Sequence, residues 1–173
     1  MRKIAIICFA VALWCLPAYA YDLTLQHTSV QVYFSPRGGA QDALVATIGQ
    51  AKDSILVQAY SFTSASIAKA LVDATKRGVK IEAILDKSQR SERYTGATFL
   101  KNEGIPVYID DKHAIAHNKV MILDGSIVVT GSFNFTKAAE EKNAENLLII
   151  RDMEMAKIYM DNWEKHKEHS ESY

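Results

Sequence analysis

Apolar and polar positions along this 173-residue chain fall into alternating strand-like and helix-like stretches. Val30 to Phe34 predicts a strand, Ala40 to Ala51 a helix, and Ser54 to Tyr60 a buried strand. Ser64 is placed to cap a helix that stops before Gly78. Its inner face is Ile67, Leu71 and Ala74, and Lys76 and Arg77 suit its last turn. Val79 to Leu85 predicts the next strand, Ser91 to Asn102 a helix halted by Gly104, and Ile105 to Ile109 a return to the sheet. VMIL and IVV flank Asp124, Gly125 and Ser126, the pattern of two strands joined by a tight turn. Leu147 to Ile150 is a further short strand. Beyond it, Met153, Ala156, Met160 and Trp163 recur at helical spacing, as a core or dimer-contact stripe on a long terminal helix. The string KHKEH, residues 165–169, reads as a fraying polar tail. Strands alternating with helices predict an α/β fold, a mixed β-sheet flanked by α-helices.

The first twenty residues follow another rule. Arg2 and Lys3 precede an apolar run from Ile4 to Leu16, and Ala18, Tyr19 and Ala20 form an AxA site. This is the pattern of a secretory signal peptide, residues 1–20, cleaved before Tyr21. The run is shorter than the roughly 20 residues that cross a bilayer, so no stable membrane anchor is expected. The expected location is periplasmic or secreted. Cys8 and Cys15 both lie inside the signal, so residues 21–173 contain no thiol and must be held by their core alone. They form one domain without a linker.

Charge narrows the choice of partner. The whole chain is formally neutral, and removing Arg2 and Lys3 leaves 18 basic against 20 acidic side chains. A broad basic surface, the usual footprint of duplex binding, is missing. Attraction of a polyanion therefore rests on local groups: Lys87, Arg90 and Arg93 in KSQRSER, with Lys112. The alternative is that these are simply solvated.

Residues 117–134, HNKVMILDGSIVVTGSFN, concentrate the chemistry: His117, Lys119 and Asp124, then Gly131, Ser132 and Asn134. Strand alternation puts His117 and Lys119 on one face. Asp124 has the opposite parity or enters the turn, so it is expected to fix the turn or orient a neighbour. Hydrolysing a phosphodiester requires a nucleophile, a proton for the departing oxygen and positive charge around the developing oxyanions. Histidine titrates near about pH 6.5, so imidazole can supply the first two, one ring for each. His27, His113, His166 and His169 lack a lysine two positions on, so the chain holds a single half-site. A two-fold homodimer would pair two of them. The alternative is a monomer with His113 as second histidine.

No HExxH, paired CxxC or DxDxDG motif is present, and no metal or other cofactor is expected. His113 and His117 follow Asp110 and Asp111 at a spacing that could bind zinc on a helix. Pro106 and the apolar alternation oppose a helix there. The loop after Gly131 lacks the GKS/T ending of a P-loop. Gln58, Tyr60 and Ser61 end a buried strand, where α/β folds tend to hold ligands, but a plain polar strand end is the favoured reading.

The pattern HxKx4Dx6GSxN resembles the signature of the phospholipase D superfamily. The chain's length and single motif are similar to its small bacterial secreted endonuclease branch. The resemblance implies a mixed sheet flanked by helices with one HKD motif per chain, a phosphohistidine intermediate, no metal and a homodimer. Carried onto this sequence, His117, Lys119 and Asp124 are the catalytic set of the motif, and Lys119, Ser132 and Asn134 bind phosphate. An acidic residue after the signature orients the histidine, and Glu145 in AENLLII matches it, with Glu140 and Glu141 as neighbouring competitors. The expected activity is endonucleolytic cleavage of DNA, with RNA open, largely independent of base sequence. Two alternatives stand beside it: a lipid phosphodiesterase of the phospholipase D type, and a catalytically silent protein binding nucleic acid or an anionic surface.

Overall fold

The computed structural model describes residues 21–24, 28–90 and 96–173. In chain order they form β1 (Ser29–Phe34), α1 (Ala40–Gln50), β2 (Ser54–Ala59), α2 (Ala65–Lys76), β3 (Lys80–Asp86), α3 (Gly96–Asn102) and β4 (Val107–Asp110). Then come β5 (Lys119–Leu123), β6 (Ile127–Gly131), α4 (Lys137–Glu141), β7 (Asn146–Arg151), α5 (Met153–Glu168) and β8 (Glu171–Ser172). The strands make one mixed eight-stranded sheet in the order β1-β7-β6-β5-β2-β3-β4-β8. β2, β3 and β4 are parallel and joined by helical crossovers, and every other pairing is antiparallel. This is the expected α/β architecture.

Alternation along the strands divides the interior in two. Val57, Ala59, Met121 and Val129 face Leu44 and Ile48 of α1 and Ile67 and Leu71 of α2. Ile84, Val120, Ile122 and Val128 face Ala156 and Trp163 of α5. Central strands buried on both faces explain why their sequences are continuously apolar. The caps follow the sequence signals: Ser64 Oγ accepts from Ile67 N–H at 3.4 Å to start α2, and Asp152 accepts from Met155 N–H at 2.8 Å to start α5.

Three elements escaped the sequence reading: α4, β8 and a one-turn 3-10 helix at Lys87–Arg90. The KHKEH string is not a fraying tail: residues 165–168 complete α5, and the chain then pairs β8 with β4, Glu171 opposite Ile109. Its polar side chains are held by partners distant in sequence, His166 Nδ1 lying 2.7 Å from Asp110 Oδ2 and Lys167 Nζ donating to Glu82 Oε2 at 2.5 Å. The expected signal peptide and the segment 91–95 of the expected helix lie outside the described residues. Among the described residues no helix is long and apolar enough to cross a membrane.

Candidate active site

Strand direction assembles the site. β2 ends at Ala59, which is paired with Lys119 at the start of antiparallel β5. β6 returns to the same rim and ends at Gly131, and β7 leaves from it at Asn146. Residues 60, 117–119, 131–134 and 145 therefore meet along one edge although they are scattered in sequence.

His117 lies in the loop before β5, not in the strand as its parity with Lys119 implied, and its side chain is exposed. Its ring packs against Tyr60, centroids 4.6 Å apart at 56°. Asn118 C=O accepts from Tyr60 N–H at 2.8 Å, tying the histidine loop to the end of β2. Tyr60, read from sequence as part of a plain strand end, is thus a site residue. Only its place at the end of a buried strand pointed to it. Gln58 is buried with its Nε2 lacking a hydrogen-bond partner.

Lys119 is only 7% exposed. Its ammonium donates to His117 C=O at 3.0 Å and sits 5.1 Å from the Tyr60 ring centroid, an arrangement that favours cation–π attraction. Burial pushes the Lys119 pKa down, and the Glu145 charge opposes that shift.

Gly131 places Ser132. Its φ of 141° is open to glycine, and a Cβ there would come within 2.3 Å of Asn146 O. The close approach lets Ser132 and Phe133 N–H both reach Asn146 C=O, at 3.1 and 3.2 Å. Ser132 Oγ then donates to Glu145 Oε2 at 2.6 Å and accepts from Asn146 N–H at 3.1 Å. Asn134 leaves Oδ1 buried without a partner, unspent hydrogen-bonding capacity of the kind that marks binding sites. The bridge between Phe62 and Phe135 sets the Asn134 segment beside the end of β2.

The acidic candidates separate cleanly. Glu140 accepts from Gly39 and Gln41 N–H, at 3.3 and 2.8 Å, and holds the start of α1. Glu141 makes a solvent-facing pair with Lys137. Glu145 alone of the three is at the rim, but its partners are Ser132 Oγ and Asn143 Nδ2 at 2.6 and 3.1 Å, not the His117 ring it was expected to orient. Its influence here reaches Lys119. Replacing Glu145 with glutamine is expected to lower the Lys119 pKa further, because the opposing charge is gone. With the ammonium as the expected phosphate-binding form, the alkaline limb of the pH–rate profile should move to lower pH. A limb that stays put or rises contradicts this coupling.

Asp124 is not in the site. It lies at the far end of β5, where Asp124 and Gly125, at φ 51° and 58°, turn the hairpin. Its carboxylate accepts from Lys52, Asp53 and Ser54 N–H at 3.0, 2.8 and 3.0 Å. The parity argument had pointed to such a turn-fixing role; the catalytic assignment is corrected. Burial raises the Asp124 pKa, but the backbone hydrogen bonds outweigh it and the net shift is downward. Asp124→Ala is expected to cost about 1–3 kcal/mol in urea unfolding at neutral pH. With the folded pKa depressed, this contribution is full above the unfolded value near about 4 and disappears as pH falls through the folded value. Activity at 25 °C should persist.

Of the cations considered for substrate attraction, Arg90 is paired with Glu171 and Lys87 Nζ donates to His113 C=O at 3.0 Å. Lys112 is exposed, and Arg93 lies outside the described residues. Away from His117, Asp110, His113, His166 and His169 bring four donor atoms within 4.8 Å of one another, a grouping that no sequence motif revealed. His113 points to this group and not to a pairing with His117.

The family model described as cardiolipin synthase, PLD-like domain, matches residues 44–167. The chain belongs to the phospholipase D superfamily. It is 41% identical over 155 residues to a protein named phospholipase D from Rickettsia conorii, covering 89% of this chain and 78% of that one. Among solved structures it is similar to Nuc from Salmonella typhimurium, a phospholipase D family member, with 41% identity and a TM-score of 0.82 over 85% of this chain and 99% of Nuc. NucT from Helicobacter pylori follows with 26% identity and a TM-score of 0.78, covering 85% and 100%. The protein is a phospholipase D-family phosphodiesterase with a Nuc-like fold.

Proposed function

We propose that this phosphodiesterase is an exported, metal-independent endonuclease acting on DNA, and on RNA by the same chemistry, with an active site shared between two copies of the chain. The observation that carries the reading is a half-built site: an exposed imidazole, a buried ammonium, and Ser132 and Asn134 on an open rim. Two acid–base groups are needed. The other described histidines, His113, His166 and His169, are gathered around Asp110, so His113 is committed elsewhere and a second copy supplies the missing imidazole.

In this reading the neutral His117 ring nitrogen attacks phosphorus and the P–O bond to the leaving strand breaks. The departing oxygen takes a proton from the protonated His117 of the second copy. Water then attacks the phosphohistidine, gives its proton to that second ring, and the P–N bond breaks to leave a phosphomonoester. Two Lys119 ammonium groups, with Ser132 and Asn134, hold the non-bridging oxygens as charge builds on the phosphorane. Contacts to phosphate and not base edges make cleavage largely sequence-independent.

The open rim and the signature's resemblance to the endonuclease branch support a polynucleotide substrate. The name of the Rickettsia relative favours the second reading, a lipid phosphodiester. The test incubates purified protein with plasmid DNA and with phosphatidylcholine vesicles, each with and without excess EDTA, beside His117→Ala. Plasmid nicking by wild type alone supports the nuclease. Headgroup release without nicking selects the lipid reading, and inactivity on both points to a binding protein. Because the overall charge gives little general attraction, DNA binding should be weak and rest on a few local phosphate contacts, which added salt loosens.

A further inference from the structure

β4 ends at the same rim as the active site, and its last residue, Asp110, is wholly buried with three imidazoles around it. His113 Nδ1 lies 3.0 Å from Asp110 Oδ2, His166 Nδ1 2.7 Å from Oδ2, and His169 Nε2 3.4 Å from Oδ1. The three rings face one another with centroids 4.9–5.4 Å apart.

We propose that Asp110, His113, His166 and His169 bind one zinc ion, which fastens the loop leading to His117 onto the end of α5.

Three observations converge on a cation here. First, one carboxylate cannot serve three imidazoles equally: His169 Nε2 is buried without a hydrogen-bond partner, although Asp110 is 3.4 Å away. Protonating all three rings at these separations would set cations against one another, whereas a divalent ion takes a lone pair from each. Second, the donors are three nitrogens and one oxygen. Calcium and magnesium prefer oxygen cages, while imidazole with a carboxylate suits zinc. Third, the group lies at the C-terminal end of a 16-residue helix, where backbone carbonyls favour positive charge.

The dimensions also fit. Zinc bonds of about 2.0–2.1 Å in a tetrahedron require ligand–ligand edges of about 3.4 Å. The contacts of Asp110 to the histidines span 2.7–3.4 Å, and all four donors lie within 4.8 Å. The histidine side chains are 45%, 16% and 29% exposed, so they can close the remaining gap and the ion has a path in.

Four protein ligands fill a tetrahedron and leave no open position for substrate, the mark of a structural site and not a catalytic one. The consequence falls on residues 111–118, which run from the cluster to the active site. They are already tethered by Ala116 N–H to Asp86 at 2.7 Å and by Lys87 to His113 C=O. Zinc would tie them to the end of α5 as well, a cross-link between distant segments in a described chain that has no cysteine.

The test titrates tag-free, EDTA-stripped full-length protein with zinc sulfate, followed by calorimetry, elemental analysis after desalting and thermal unfolding. One zinc per chain is expected, with Tm rising by roughly 5–10 °C at about a hundredfold excess over Kd. His166→Ala and His169→Ala should each lose most of that binding and shift, while His117→Ala should keep both. Wild type that retains no zinc and shows no Tm shift overturns the proposal. So does binding that survives in folded His166→Ala and His169→Ala, or disappears in His117→Ala. Because metal content and Tm are read without substrate, failure here leaves the nuclease reading standing, and failure of the nuclease assay leaves this one standing.

Discussion

His117→Ala is expected to lower phosphodiester hydrolysis by about 10⁴-fold or more, with the melting temperature unchanged. In the proposed mechanism the ring supplies both halves of the chemistry, attacking phosphorus on one chain and protonating the leaving oxygen on the other. One substitution in a homodimer therefore removes nucleophile and general acid together. Lys119, Ser132 and Asn134 remain and can still bind the diester, so substrate affinity should fall far less than turnover. Stability should be spared because the side chain is exposed and its recorded ring contact is Tyr60. Turnover on plasmid DNA, binding of a short oligonucleotide and calorimetric Tm test these points. A variant that cleaves within about tenfold of wild type would remove the imidazole from the chemistry altogether.

Trp163→Ala is expected to carry the largest stability cost, about 3–5 kcal/mol, or a fall in Tm of roughly 6–20 °C. The indole is fully buried against the cluster of Ile84, Val120, Ile122 and Val128. Its Nε1 donates to Val57 C=O at 2.9 Å. Alanine leaves a void and removes the indole's hydrogen bond to a carbonyl on a central strand. Trp163→Phe refills most of the volume and should recover more than half the loss. Because β2 also carries Tyr60 to the site and α5 carries His166 and His169, activity and zinc affinity should decline together as the variant unfolds on warming. Urea unfolding resolves the ranking, and a cost below about 1 kcal/mol would show that α5 is not anchored through this residue.

The fold was legible wherever local signals agreed. Ser64 and Gly78 bracket α2, the Asp124–Gly125 turn fixes the β5–β6 register, and the helical spacing of Ala156 and Trp163 marks the buried side of α5. The candidate site could be assembled from sequence because the motif flanks two adjacent strands, β5 and β6, so sequence proximity becomes spatial proximity. The remainder depended on contacts between distant residues. KHKEH is polar and terminal, and nothing local reveals that His166 meets a buried carboxylate 56 residues earlier. Tyr60 became a site residue only when β2 and β5 paired. Glu145 could be distinguished from Glu140 only once α1 was in place to take the latter as its cap. Asp124 was misassigned to the chemistry by its place in the motif, although its strand parity had already pointed to the turn.

The most direct measurement is the activity of a purified heterodimer holding one wild-type chain and one His117→Ala chain, separated by distinguishable tags. A shared site leaves it one imidazole for two roles, so its plasmid-nicking rate should fall below about 1% of the wild-type homodimer. Two self-sufficient sites would instead leave about half the activity, and a value near half would contradict the pairing of His117 across two chains.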